Sequence, residues 1–194
     1  EVENYRRQVS KASVRNGRAE NKIIIITGAA QGFGEGIAEK LFAEKANIVI
    51  ADLNDKKGTE LAGKLSASGK NNKAICVKTD VSNENSIRNL IVETVKTFGG
   101  IDAFISNAGI LRAGGLDEMT LESFELMTKV NYTAYFLCTK YASEVLKLQS
   151  KYHPAHYTDI IQINSKSGLK GSNKNFAYAG GKFGGIGLTQ SFAM

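Results

Sequence analysis

Tyr178 and Lys182 stand four residues apart in FAYAGGKFGG, and Ser165 stands thirteen residues before the tyrosine. If Tyr178 opens a helix, Lys182 lies one turn along on the same face, close enough to touch the same ligand. Residues 160–163 read as an apolar strand that breaks at the serine into Ser, Lys, Gly and Asn. A serine at a strand end and a Tyr/Lys pair on a helix can converge on one reacting atom. Together they offer it a hydroxyl, a phenol and an ammonium group.

The elements needed to bring them together are legible upstream. From residue 22 the pattern is strand, turn, helix, repeated. Apolar, β-branched strands are expected at 23–26, 47–51, 73–78, 101–106 and 159–163. Helices are expected over 37–45, 55–68, from 82–84 to the Phe98-Gly99 stop, and over 121–149, with Asn131 in the middle of the last. Five strands alternating with helices imply an α/β class: a doubly wound parallel sheet, or Rossmann fold, sandwiched between helices. In such sheets ligands bind beyond the carboxyl ends of the strands. The informative polar residues fall at those ends: Thr27-Gly28, Asp52, Asp80, Asn107 and Ser165.

Gly28, Gly32 and Gly34 lie in the first strand-to-helix turn, TGAAQGFGEG. Dinucleotide binding needs glycines there for a tight turn, for backbone approach to a pyrophosphate, and for packing of helix on strand. Asp52, at a strand end eighteen residues after Gly34, can accept hydrogen bonds from ribose hydroxyls and would repel a 2′-phosphate. Gln31 is neutral and the loop has no Arg or Lys, so NAD is expected rather than NADP. Asp52 can also be read as a helix cap, and Asp80 as a turn residue or a contact to an adenine amino group. Asn107-Ala108-Gly109 brings the chain near the adenosine half, with Asn107 tying backbone across strands.

The 194 residues carry 42% hydrophobic and 23% charged side chains, which suits one globular domain. The formal charge of +6 has no dense basic run, so nucleic acid is not expected. Cys76 and Cys138 sit singly in apolar runs, as buried free thiols in a reducing, cytoplasmic setting. His153 and His156 flank Pro154 in a loop without an accompanying cysteine or carboxylate, so no metal site is expected. There is no apolar run long enough for a membrane span. Residues 1–20 read as a separate helical extension, with Val2, Tyr5, Val9 and Ala12 at helical spacing, ahead of a catalytic domain over 21–194.

In combination these residues resemble the short-chain dehydrogenase/reductase family. Its TGxxxGxG pattern is found at Thr27 to Gly34, its NAG at Asn107 to Gly109, its YxxxK at Tyr178 to Lys182, its serine at Ser165 and its mid-helix asparagine at Asn131. The resemblance implies hydride transfer between a secondary alcohol and NAD. Tyr178 would be the base, Ser165 would hydrogen-bond the substrate oxygen, Lys182 would favour the phenolate and hold the nicotinamide ribose, and Asn131 would position a water. Gly28, Gln31, Gly32, Phe33, Gly34, Asp52, Leu53, Asp80, Val81, Asn107, Ala108 and Gly109 would bind the cofactor with Tyr178 and Lys182.

The segments around Gln162–Gly168 and Lys182–Ala193 resemble a branch that acts on sugar alcohol phosphates, interconverting sorbitol 6-phosphate and fructose 6-phosphate. Lys166 and Arg112 are the candidate substrate contacts. The alternatives are another enzyme of the family, such as a 3-oxoacyl reductase, or a non-catalytic NAD-binding regulator. The family implies a homodimer or homotetramer, and a further C-terminal strand-helix-strand portion that this sequence lacks. Phe33 replaces an aliphatic residue, Ser106 an asparagine, and Asn164 a serine. Gly180, Gly181, Gly184, Gly185 and Gly187 crowd a helix that must gain from close packing, such as a subunit contact, what it loses in propensity.

Overall fold

The isoleucine run near the start of the domain forms the central strand, β1 (Ile23–Thr27). The protein is represented by a computed structural model that describes residues 17–69 and 71–194. Most of the helix expected over 1–20 therefore lies outside the described residues. β2 (Asn47–Asp52), β3 (Ala74–Lys78), β4 (Ala103–Ser106) and β5 (Asp159–Gln162) complete a five-stranded sheet. The order is β3-β2-β1-β4-β5 and every pairing is parallel. β1 is thus the switch point, flanked by β2 on one side and β4 on the other.

The first four residues of β1 are all isoleucine because both its faces are covered. Ile24 and Ile26 join Ala38 and Phe42 of α1 (Gly32–Ala43) and Leu61 and Leu65 of α2 (Asp55–Ser68). Ile25 turns the other way, onto Ile87 and Leu90 of α3 (Glu84–Phe98) and Leu137 and Leu146 of α5 (Ala134–Tyr152). Ile25 and Ile26 are fully buried, and each contributes roughly 1.5–3 kcal/mol by leaving water. The expected α/β/α sandwich is therefore the observed architecture. Two further helices, α4 (Leu121–Thr128) and α6 (Phe176–Phe192), stand on the site side of the chain.

The larger departures from the sequence pattern have specific causes. α1 starts at Gly32 rather than 37, because its first turn is built of poor helix formers that the apolar periodicity does not mark. β4 starts at Ala103 rather than 101, because the backbone of Ile101 is taken by a side chain. Gln149 Oε1 accepts from Ile101 N at 2.9 Å, and Gln149 Nε2 donates to Ile101 O at 2.9 Å. The helix expected over 121–149 is interrupted by a wide π turn at Lys129–Thr133, centred on Asn131.

At the amino end of β4, buried Asp102 accepts from Ile23 N at 2.7 Å and Lys22 Nζ at 3.1 Å, and meets the His156 ring. His156 therefore has a structural partner. Cys76 is half-buried, Cys138 is buried, and both are free thiols. Among the described residues no helix is long and apolar enough to cross a membrane.

Candidate active site

The site is built at the carboxyl ends of β1, β4 and β5. After β1 the chain turns at Gly28, whose φ is +64°; a Cβ there would stand 2.9 Å from Ala108 Cα. Gly32, with φ +63°, opens α1, and a Cβ there would meet nothing within 4 Å. At Gly34 a Cβ would lie 2.2 Å from Gly28 O and 2.6 Å from Asn107 Nδ2, so only glycine lets α1 rest against the strand ends. Gln31 precedes α1 without a side-chain cap, whereas Asn54, Asn83 and Thr120 cap α2, α3 and α4. The loop is a cradle with uncapped N–H groups and the positive end of a helix dipole, which fits a pyrophosphate.

Asp52 Oδ2 accepts from Ala30 N and its Oδ1 from Asn54 N, both at 2.9 Å. Asn54 is the cap of α2, so the cap reading of Asp52 gives way to a carboxylate that ties β2 to the glycine loop. Each oxygen keeps a lone pair for a ribose hydroxyl. Leu53 beside it is 65% exposed and Phe33 is 86% exposed, two apolar side chains facing outward at the rim. Asp80 Oδ1 accepts from Ser82 N at 2.9 Å and Ser82 Oγ at 2.7 Å, a turn role; Val81 is buried.

Asn107 joins β4 to β1. Its Nδ2 donates to Thr27 O at 2.9 Å and Gly28 O at 3.1 Å, while Thr27 Oγ1 accepts from both Asn107 N and Ala108 N at 3.0 Å. Asn131 spends both arms of its amide on the next loop, accepting from Ile110 N at 3.0 Å and donating to Ile110 O at 2.8 Å. One Oδ1 lone pair remains for the water that the family resemblance implies.

Ser165 follows β5 and caps the short turn Lys166–Gly168, its Oγ accepting from Ser167 N at 3.2 Å. Its O–H stays available to donate to a substrate oxygen. Tyr178 and Lys182 lie on successive turns of α6. The Lys182 ammonium is 5.7 Å from the centre of the Tyr178 ring and donates to Ile163 O at 2.8 Å. Burial holds the Lys182 pKa below the ordinary lysine value. Ser165, Tyr178 and Lys182 line one cavity of about 470 Å³ together with Phe33, Asn107 and Gly109. Asn131 stands behind it, 3.0 Å from where a Gly109 Cβ would be.

Lys166 and Arg112 are exposed and do not line this cavity. Arg112 Nη1 donates to Ser123 Oγ at 3.2 Å, turning its guanidinium onto α4. Two residues not expected to matter brace the site, Asn164 from the cavity wall and Gln162 from behind it. The Asn164 and Gln162 amides lie between β5 and α6, hydrogen-bonded to each other at 3.3 Å. Their signal in the sequence is a pair of glycines that leave them room, Gly168 and Gly185. The α6 glycines serve contacts inside this chain: Gly181 meets Asn131, Gly184 the Tyr132 ring and Gly185 the Gln162 amide. Gly180 and Gly187 meet nothing within 4 Å.

The family model described as short chain dehydrogenase matches residues 22–194. The chain belongs to the short-chain dehydrogenase family. Among its curated relatives in this family, sorbitol-6-phosphate 2-dehydrogenase of Escherichia coli is 32% identical over 90% of this chain and 65% of its own length. Secoisolariciresinol dehydrogenase of Forsythia intermedia is 35% identical, over 91% and 61%. The 2,5-dichloro-2,5-cyclohexadiene-1,4-diol dehydrogenase of Sphingobium indicum is 34% identical, over 87% and 64%. The chain thus spans just under two thirds of the length of these relatives. A solved short-chain dehydrogenase/reductase from Burkholderia phymatum in complex with NAD superposes with a TM-score of 0.83 at 25% identity, over 90% of this chain and 59% of that one.

Proposed function

We propose that the protein is an NAD-dependent oxidoreductase that oxidises a secondary alcohol of a sugar alcohol phosphate, with sorbitol 6-phosphate to fructose 6-phosphate as the reaction. The observation that carries the chemistry is the convergence of Ser165, Tyr178 and Lys182 on one cavity beside the glycine loop. Bound NAD would supply the acceptor for the hydrogen and electron pair that leave the alcohol carbon. Tyr178, as phenolate, takes the proton of the alcohol O–H while the carbonyl forms. Ser165 donates a hydrogen bond to the same oxygen and fixes it for transfer. Lys182 favours the phenolate by charge and would hold the nicotinamide ribose. The uncapped amino end of α1 would hold the cofactor pyrophosphate, and Asp52 would accept from the adenosine ribose. The Asp52 carboxylate also disfavours a 2′-phosphate, which speaks against an NADP-linked 3-oxoacyl reductase.

The sugar phosphate rests on the likeness to the Escherichia coli enzyme of that name and on Lys166, which directly follows Ser165 and is exposed. A second reading, a dehydrogenase of apolar cyclic alcohols, is favoured by the cavity wall of Ile110, Leu111 and Ile163 beside Phe33. Full-length protein with NAD and a panel of sorbitol 6-phosphate, free sorbitol and cyclic diols separates the two by NADH formation. The phosphate is expected to be preferred, and Lys166→Ala is expected to raise KM for it more than for sorbitol. Faster turnover of cyclic diols overturns the sugar assignment. Tyr178→Phe is expected to lower kcat by about 10²–10⁴-fold; full retention of activity returns the protein to the non-catalytic, NAD-binding class.

A homodimer or homotetramer is part of the same proposal. It is supported by exposed Phe136 on α5 and Phe183 and Phe192 on α6, and light scattering of the full-length protein tests it. The two free thiols support a reducing, cytoplasmic setting.

A further inference from the structure

The strand end that carries Ser165 also grips the helix that carries Lys182, through three consecutive residues. Ile163 O accepts from Lys182 Nζ at 2.8 Å. Asn164 Nδ2 donates to Lys182 O at 3.1 Å, and Asn164 Oδ1 accepts from Ser165 N at 2.7 Å. Lys182 is therefore held at both ends, by its ammonium and by its main-chain carbonyl. One of those two grips belongs to the side chain that also orients the serine backbone.

Asn164 is braced in turn. Its Nδ2 lies 3.3 Å from Gln162 Oε1, and the Gln162 amide fills the notch at Gly185, where a Cβ would stand 2.2 Å from Nε2 and 2.6 Å from Oε1. On the other side a Cβ at Gly168 would stand 2.4 Å from Asn164 Oδ1 and 3.0 Å from Lys182 O. Two glycines, one in the turn after Ser165 and one in α6, thus vacate the volume that the two amides occupy. An amide suits this place because it can accept from one element and donate to the other at once. A carboxylate would set a negative oxygen against the Lys182 carbonyl, and an apolar side chain could make neither bond.

We propose that Asn164, braced by Gln162, is a positioning residue that sets Ser165 and Lys182 in fixed relation across the cavity. Asn164 lines the cavity beside Ser165, and the role proposed for it is exerted through the two residues it holds. The proposal rests on the catalytic reading of Ser165, Tyr178 and Lys182, so its test includes a measurement that needs no turnover. When Asn164 lets go of the α6 carbonyl, the lysine ammonium loses its fixed place beside the Tyr178 ring, and the phenolate loses its stabilising charge.

The test compares Asn164→Asp, Asn164→Ala and Gln162→Met with the wild type in the full-length protein. Phenolate absorbance is read at a fixed alkaline pH with NAD present, as a difference against Tyr178→Phe. Asn164→Asp and Asn164→Ala are expected to lower that signal at least about twofold, equivalent to a displacement of roughly 0.3 pH unit or more. Gln162→Met is expected to act in the same direction, less strongly, and serves alone if the Asn164 variants do not fold. In turnover, the acid limb of the kcat/KM profile is expected to move to higher pH, with kcat falling and KM for NAD changing little. A lowered melting temperature with an unmoved phenolate signal and pH profile overturns the proposal, since that is the mark of a merely structural contact. If no alcohol is turned over but the phenolate signal moves, the positioning role stands and the substrate assignment fails.

Discussion

Gly181 lies against Asn131. A Cβ at position 181 would stand 3.1 Å from Asn131 Cβ, tighter than ordinary van der Waals contact. α6 and the π turn thus approach at a distance that only a missing side chain permits. Gly180, one residue before it, meets nothing. Gly180→Ala is therefore expected to stabilise the isolated chain by about 1 kcal/mol through helix propensity. Gly181→Ala gains the same propensity and loses roughly 1–3 kcal/mol to overpacking, so its melting temperature is expected to fall. Thermal denaturation of the two variants side by side checks this. A loss of assembly in Gly180→Ala would identify that open position as a subunit contact.

Lys182 is buried, and its desolvation lowers the pKa below the ordinary lysine value. The charged form is thus disfavoured in the folded state. Between the folded pKa and the unfolded value of about 10.4, the unfolded chain holds more protons, so stability rises with pH across that window. The wild type is expected to gain on Lys182→Met as pH rises toward the unfolded value of about 10.4, in denaturant titrations at each pH. A gap that widens in favour of the methionine variant as pH rises contradicts the burial argument.

Asp52 receives one N–H from the glycine loop and one from the residue capping α2. Asp52→Ala frees both and removes the carboxylate proposed to accept from the ribose. The dissociation constant for NAD is expected to rise about tenfold, or about 1.4 kcal/mol, as measured by calorimetry. An unchanged affinity would leave Asp52 a loop-fastening residue only.

The thiols should report the two faces of the sheet differently. Burial pushes Cys138 up to about 12, and Cys76, half-buried with Asp55 nearby, is also raised, chiefly by desolvation. The thiolate is the reactive form. At neutral pH Cys138 is expected to stay unlabelled by a thiol reagent until the chain unfolds, while Cys76 reacts slowly. Labelling of both at the rate of a free thiol would show that the α5 face opens readily.

The parts of this fold written in the sequence are those fixed by local chemistry. The isoleucines of β1, the glycines and Asp52 of the first crossover, and the Tyr178/Lys182 spacing announce themselves by type and period. Asn164 and Gln162 did not, because their partners sit on a different element and the clue is two empty volumes, at Gly168 and Gly185. The late start of β4 was equally hidden: it depends on Gln149, forty-eight residues on, reaching back to Ile101. The α6 glycines were expected to gain from close packing such as a subunit contact, and three of them, Gly181, Gly184 and Gly185, are notches inside this chain for Asn131, Tyr132 and Gln162. Lys166 and Arg112 were singled out by charge and proximity in sequence, and neither property says which way a long side chain turns.

The π turn at Lys129–Thr133 has a consequence for insertions and deletions. Such a turn is an α-helix carrying one residue too many, so it advances everything after it by roughly 100° of helical phase. Upstream of it α4 follows one azimuth; downstream α5 follows another, with Leu137, Cys138 and Tyr141 against the sheet. Removing any single residue from 129–133 would heal the helix and spoil the register between its halves, turning either Asn131 away from Ile110 or Leu137 away from the sheet. This five-residue stretch is expected to tolerate substitution at exposed Lys129 and no change of length, in a deletion scan read by soluble yield.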